Sequence, residues 1–335
     1  MAKVSWGIIS TARIGTDKVI PAMQLASNVD VKAIASRNLE TAKKTAAKLG
    51  IREVSPSYEE LINRKDIDAV YIPLPNHLHV EWSIKALRAG KHVLCEKPIA
   101  RNAAEAELLL HEAEKFPGLK MMEAFMYRFH PQTSAMLELI RDGAIGEVRN
   151  VQTMFSYYND NPKDVRNQAD IGGGGLLDIG CYCISYSRLV FEGEPLRACA
   201  TIEYDPGLKV DRLVSAVIEF PKGNATFTCS TQLPNSQHAK IIGTRGIIEL
   251  PVPFTPLPDR SSRIIFTAGP KDEEMTIAPA NHYTLQGESF SKAILEHLPV
   301  PTPLIDGIAN MRVIDAVFES SRTGRWAEIR QERRS

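Results

Sequence analysis

Short apolar runs alternate with amphipathic stretches through the first third of the chain. Residues 3–9, 31–35, 53–54, Ala69–Ile72, His92–Cys95 and 119–124 read as strands, bounded by glycine, proline or small polar residues. Helical patterns separate them: one from the turn after Ile9 to about Ala26, then Leu39–Leu49, 58–63, a stretch ending near Ala89, and 102–116. The last opens on Asn102 with Glu105 three residues on, the spacing of a capping box. Strands and helices in strict alternation predict a doubly wound parallel sheet, a Rossmann-like α/β domain over residues 1–124.

The character changes after Gly146. Runs at 148–156, Arg197–Tyr204, 213–220, 225–231, 238–242, 246–250 and 263–267 read as strands, most of them without a helix between. They predict an α+β domain built on a largely antiparallel sheet over residues 125–335. A helix at 133–142 precedes them, and two more, at 283–297 and 305–322, close the chain. One further helix interrupts the strand series, running from the glycines at 172–175 to about Phe191.

At 335 residues, two domains are the natural expectation. Forty basic and forty acidic residues cancel, and neither a basic tract nor an acidic tail is present, which argues against nucleic acid or a membrane surface as partner. Small molecules fit better. Five cysteines in apolar runs read as reduced core residues and show no metal-ligand spacing, so no metal is expected. Without a leader pattern or an apolar run of membrane length, the expected location is the cytoplasm.

Candidate chemistry gathers at the ends of the predicted strands, where open α/β sheets bind their ligands. The first strand runs into Ser10-Thr11-Ala12-Arg13-Ile14-Gly15, a strand–turn–helix suited to phosphate, with Ser10 and Ala12 where a stricter fingerprint has glycine. The second ends in Ser36-Arg37, with no acid for a ribose hydroxyl. A hydroxyl and a guanidinium there suit the 2′-phosphate of NADP in preference to NAD. The fourth ends in Pro75-Asn76-His77-Leu78-His79, whose histidines read first as helix-start residues. The fifth ends in Cys95-Glu96-Lys97-Pro98, where proline holds Lys97 extended. Asp178 and Tyr182 are four apart on the helix after the glycines and share a face, as a proton-transfer pair would.

The loop Pro75 to His79, Cys95-Glu96-Lys97-Pro98 and the stretch Gly173 to Tyr182, in that order, resemble the Gfo/Idh/MocA family of sugar and polyol oxidoreductases. The resemblance covers nearly the whole chain, including Glu319 to Trp326. It is closest to the branch holding dimeric dihydrodiol dehydrogenase and NADP-dependent D-xylose 1-dehydrogenase, through Met122-Glu123-Ala124, Arg128-Phe129, Pro131 and a tyrosine at 182 where inositol dehydrogenase-like members have histidine. What it implies is an NAD(P)-dependent sugar dehydrogenase whose substrate lies between two domains. The cofactor would be bound by Ser10, Thr11, Ala12, Arg13, Ile14, Ser36, Arg37, Pro75, Asn76, His79, Glu96 and Lys97. Lys97, Tyr182 and Asp178 would be catalytic, with Tyr127, Arg128, Tyr158 and Arg166 joining them around the substrate.

In that reading Tyr182 takes the proton of a sugar hydroxyl, the anomeric one of an aldopyranose such as D-xylose, while a lysine ammonium favours its phenolate; the product is a lactone. A dihydrodiol or a ketosugar on the same fold is an alternative. So is a nucleotide-binding regulator without catalysis, against which the retention of both Lys97 and Tyr182 counts. The resemblance also implies a homodimer or homotetramer formed through the C-terminal sheet.

Overall fold

The computed structural model describes residues 2–269 and 272–330. The chain forms two compact units, Met1–Phe129 with Asn281–Ile308, and His130–Ala280 with Ala309–Ser335.

In the first unit six strands, β1 (Val4–Ile9), β2 (Val29–Ala35), β3 (Glu53–Ser55), β4 (Ala69–Ile72), β5 (His92–Cys95) and β6 (Met121–Glu123), form one sheet in the order β3-β2-β1-β4-β5-β6. Every pairing is parallel. The order reverses between β1 and β4, so the strand ends there open onto a crevice, the usual ligand position of a doubly wound sheet. β4 is buried at all four residues, as a strand covered on both faces must be. The first helix departs from expectation. Gly15–Val19 forms a π turn, with the Ile20 amide bonded to the Gly15 carbonyl, and a short α-helix, Ile20–Met23, follows. Pro21 brings no N–H to continue an ordinary ladder.

The units do not follow the division expected at 124/125. The helix His282–Leu295, expected in the second domain, belongs to the first unit. The reason is packing: Phe290, fully buried, stands 5.7 Å from the ring of Trp6 on β1, and the Trp6 indole N–H donates to Ser291 Oγ at 3.1 Å.

In the second unit nine strands are ordered β14-β13-β12-β11-β7-β10-β9-β8-β15. They are β7 (Val148–Tyr158), β8 (Arg197–Tyr204), β9 (Asp211–Phe220), β10 (Gly223–Ser230), β11 (Gln232–Gly243), β12 (Ile247–Leu250), β13 (Ser262–Thr267), β14 (Asp272–Ile277) and β15 (Ala327–Glu328). All neighbours are antiparallel except β7 and β10. β14 and β15 were not expected. β14 is an edge strand carrying the exposed Glu273 and Glu274, a composition that hides a strand from hydrophobic patterning and discourages edge pairing. The helix Cys181–Phe191 is buried on nearly every face, with Tyr182, Phe155 on β7 and Phe254 in mutual ring contact.

Phe290→Ala should destabilise the first unit by about 3–5 kcal/mol, the usual cost of emptying an aromatic core site. Urea denaturation followed by tryptophan fluorescence checks it; a loss below about 1 kcal/mol would mean that the helix is not part of that core.

Candidate active site

In the first unit the predicted residues lie on the carboxyl ends of β1, β2, β4 and β5. Ser10 has φ 115°, a backbone path that glycine adopts freely and other residues rarely do. The serine therefore stands on the glycine path of a phosphate turn, and its Oγ replaces part of what the turn needs. It accepts from the Ala12 amide at 3.2 Å and donates to the Pro73 carbonyl at 3.1 Å. Thr11 Oγ1 and Ser36 Oγ are 3.4 Å apart, which joins the ends of β1 and β2. Arg37 is exposed and lies against Tyr58; burial raises the pKa of that phenol, and the charge and hydrogen bonds of Arg37 oppose the rise. Arg13 points to solvent and pairs with Asp17 at 3.6 Å. Ile14 is half-buried against the core around Trp6.

Pro75 and Asn76, both half-buried, lead into the turn Asn76–Leu78. His79 follows and is 1% exposed, which argues against the direct cofactor contact expected of it. Its Nδ1 lies 2.7 Å from the Pro98 carbonyl and its Nε2 2.7 Å from the Leu74 carbonyl, which ties the β4 loop to the β5 loop. Lys97, half-buried, sits in that second loop and forms a cis peptide with Pro98. The next amide, of Ile99, donates to Glu123 Oε1 at 2.7 Å. Glu96 is buried and accepts from the Tyr71 hydroxyl at 2.5 Å; burial first and then the Glu96 charge push Tyr71 well above the usual phenol range. The lysine is thus held by bonds to the residues on either side of it.

Tyr127 was expected against the substrate. It is 0% exposed and packs edge-on to Phe125 with ring centres 6.0 Å apart, so it serves the core. Its neighbour Arg128 pairs with Asp306 at 2.9 Å, inside the same unit.

In the second unit the chemistry gathers at the start of the buried helix. Leu176–Gly180 is a π turn that runs directly into Cys181–Phe191, and such turns recur at functional sites. Asp178, whose side chain is 12% exposed, accepts from the Arg166 Nε at 3.2 Å and from the Tyr157 hydroxyl. The Asp178 carboxylate is the main reason that Arg166 is held more firmly protonated than usual. Burial, then the same carboxylate, raises the Tyr157 pKa, so this phenol is a proton-bearing donor and not a base. Tyr182 is 5% exposed, with its ring 5.6 Å from Phe155 and 5.8 Å from Phe254.

Tyr158, the expected substrate contact, is 65% exposed and turned to Asp160. Successive strand residues face opposite ways, and on β7 the inward set is Val151, Thr153, Phe155 and Tyr157. Counting that alternation from Val151 identifies Tyr157 as the tyrosine that faces Asp178.

Two family models divide the chain between them. The oxidoreductase family with NAD-binding Rossmann fold matches residues 4–123, and the GFO/IDH/MocA C-terminal domain matches residues 133–249. The chain belongs to the Gfo/Idh/MocA oxidoreductase family. An uncharacterized oxidoreductase of Rhizobium meliloti is 44% identical over 98% of this chain and 100% of its own length. D-xylose 1-dehydrogenase (NADP(+)) 2 of Haloferax volcanii is 37% identical over 97% of this chain and 99% of its own. Among solved structures, a 3-ketoreductase from Actinomadura kijaniata in complex with NADP and TDP-benzene superposes with a TM-score of 0.89 at 31% identity, covering 95% of this chain and 98% of that one. The Gfo/Idh/MocA chain has no metal-holding cluster of His, Cys, Asp and Glu among its described residues, and no described helix is long and apolar enough to cross a membrane.

His79 should give this Gfo/Idh/MocA protein a pH-dependent stability. A neutral imidazole donates to only one of its two carbonyl partners, and the imidazolium would donate to both. Burial outweighs that advantage and pushes His79 down to about 4. As pH falls, the unfolded chain takes up this proton near 6.5 and the folded unit only near 4. The stability tied to neutral His79 is therefore complete above about 6.5 and lost progressively down to about 4, on the order of 3 kcal/mol. His79→Gln should remove that component, seen as a flatter acid limb when urea denaturation of wild type and variant is compared. An unchanged limb would mean that His79 is not buried in its neutral form.

Proposed function

We propose that this chain is an NADP-dependent sugar dehydrogenase that oxidises an aldopyranose such as D-xylose at C1 to the lactone. The observation that carries the reading is the cluster on the glycine-led helix: Asp178 held between Tyr157 and Arg166, four residues before Tyr182 in its aromatic wall. A carboxylate and a guanidinium fixed in one place recognise neighbouring hydroxyls on a ring, and a phenolate is the proton acceptor. The similarity to D-xylose 1-dehydrogenase over 97% of the chain supports the substrate class.

The backbone path at Ser10 and the hydroxyls of Thr11 and Ser36 fit a dinucleotide on the end of the first sheet. The turn from Ser10 to Ile14 would hold its pyrophosphate, and Ser36 with Arg37 the 2′-phosphate of NADP. When bound, a nicotinamide would supply the hydride acceptor that such an oxidation needs. In the proposed reaction Tyr182, as its phenolate, receives the hydroxyl proton and Asp178 with Arg166 orients the sugar; Lys97 is the proposed catalytic ammonium of the first unit. The open face of the nine-stranded sheet, where Met154, Val217 and Thr226 lie, is the proposed surface of self-association.

Tyr182→Phe should lower turnover by about 10²–10⁴ while leaving NADPH binding, followed by cofactor fluorescence, intact. Turnover at the wild-type rate in that variant removes the tyrosine from the mechanism. Arg37→Ala should weaken NADP at least about tenfold more than NAD, and equal losses would refute the phosphate assignment. Reduction of a ketosugar is the second reading, favoured by the similarity to the 3-ketoreductase. NADPH oxidation with a ketosugar, together with silence across a panel of aldoses, would put that reaction first.

A further inference from the structure

Asp211, at the start of β9, lies outside every residue set considered so far. It is 2% exposed, and its Oδ2 accepts from the Leu176 amide at 2.6 Å, on the first residue of the π turn that leads to Asp178 and Tyr182. The approach is close enough to dictate the sequence around it. Gly174 has φ 122°, and a Cβ there would stand 1.9 Å from Asp211 Oδ1. At Gly175 a Cβ would still be 3.5 Å from Oδ2. Gly174 is thus a seat for that carboxyl, while the contact at Gly175 is an ordinary van der Waals one.

The same end of the helix is fixed from below. Gly173 and Gly174 donate to the carbonyls of Gln168 and Arg166, at 2.9 and 2.8 Å, so the loop that presents Arg166 to Asp178 is bonded to Gly174, which receives Asp211, and to its neighbour. Gly180 closes the other end of the turn, where a Cβ would meet Cys229 Sγ on β10 at 2.9 Å.

We infer that Asp211 is a positioning residue for the proposed reaction: it fixes the first turn of the helix bearing Asp178 and Tyr182, and with it the Arg166 loop, to the sheet. The inference rests on the proposed function for its catalytic consequence only. Burial drives the Asp211 carboxyl up to about 7 against the hydrogen bonds it accepts from Leu176 and Gly175. Keeping a carboxyl in so unfavourable a place is what a precise local task requires.

The test compares full-length wild type with Asp211→Asn, Gly174→Ala and the double variant. Asn preserves the volume but puts a donor where one acceptor oxygen was, and Ala at 174 pushes the carboxylate away. Each single variant should lose about tenfold in kcat and raise the sugar KM, with the KM for NADP within about twofold of wild type, because misplacement of the helix affects only the sugar side. A simple loss of folded protein would not raise the sugar KM. Amide exchange of residues 176–180, read by mass spectrometry, should speed up by about tenfold while β10 stays protected. The double variant should lose no more than the worse single one, since both break the same contact. Wild-type exchange and kinetics in Asp211→Asn, or additive losses in the double variant, would overturn the assignment. Wild-type silence on every sugar would sink the proposed reaction, and the exchange measurement would then decide the anchoring role by itself.

Discussion

A polar group taken out of water must find its partner inside the protein, and both units use that requirement to hold their reactive segments. In the first, the buried ring of His79 joins the Leu74 and Pro98 carbonyls, and buried Glu123 receives the Ile99 amide. Lys97 lies between these fixed points. In the second, buried Asp211 receives the Leu176 amide, and Asp178 is held by Tyr157 and Arg166. None of these contacts is a large term by itself, since a net hydrogen bond contributes about 1 kcal/mol. Their value is geometric. An unmade partner costs more than a made one gains, so a loop fastened at two buried points has few alternative positions.

The alternation of apolar and amphipathic stretches predicted the parallel sheet because β4 and β5 are covered on both faces and must be apolar throughout. Strand ends were legible for the same reason: the chain turns from apolar to polar where β1, β2 and β5 leave the sheet, at Ser10, Ser36 and Glu96. What could not be read locally is what depends on distant sequence. Asp211 meets Leu176 across 35 residues, and nothing in Lys209-Val210-Asp211-Arg212 marks a buried carboxyl. His282–Leu295 joins the first unit through Trp6, 285 residues from its partner Ser291. Tyr157 against Tyr158 was a question of phase, and a single step of the strand reverses which side chain faces the helix.

Ser10 shows how a fingerprint can look broken while its physics is kept. The usual glycine serves a positive φ and a close backbone approach. Here the backbone keeps the positive φ with a serine, and the side chain bonds the Ala12 amide and the Pro73 carbonyl. A non-glycine residue in such a conformation costs on the order of 1–3 kcal/mol, which those bonds and the surrounding strands offset. Read as a string the motif is weak; read as a backbone path it is intact.

The surroundings of Tyr182 and of Tyr157 separate the two phenols by role. Tyr157 faces a carboxylate, and an anionic neighbour together with burial keeps a phenol protonated, so its hydroxyl gives a bond and holds Asp178 in place. Tyr182 is set by aromatic faces, Phe155 edge-on and Phe254 tilted, which restrict where its ring can stand. A ring fixed in this way has its orientation settled before any ligand arrives. The helix that carries Tyr182 is buried almost all round, and the glycines that lead into it meet Asp211.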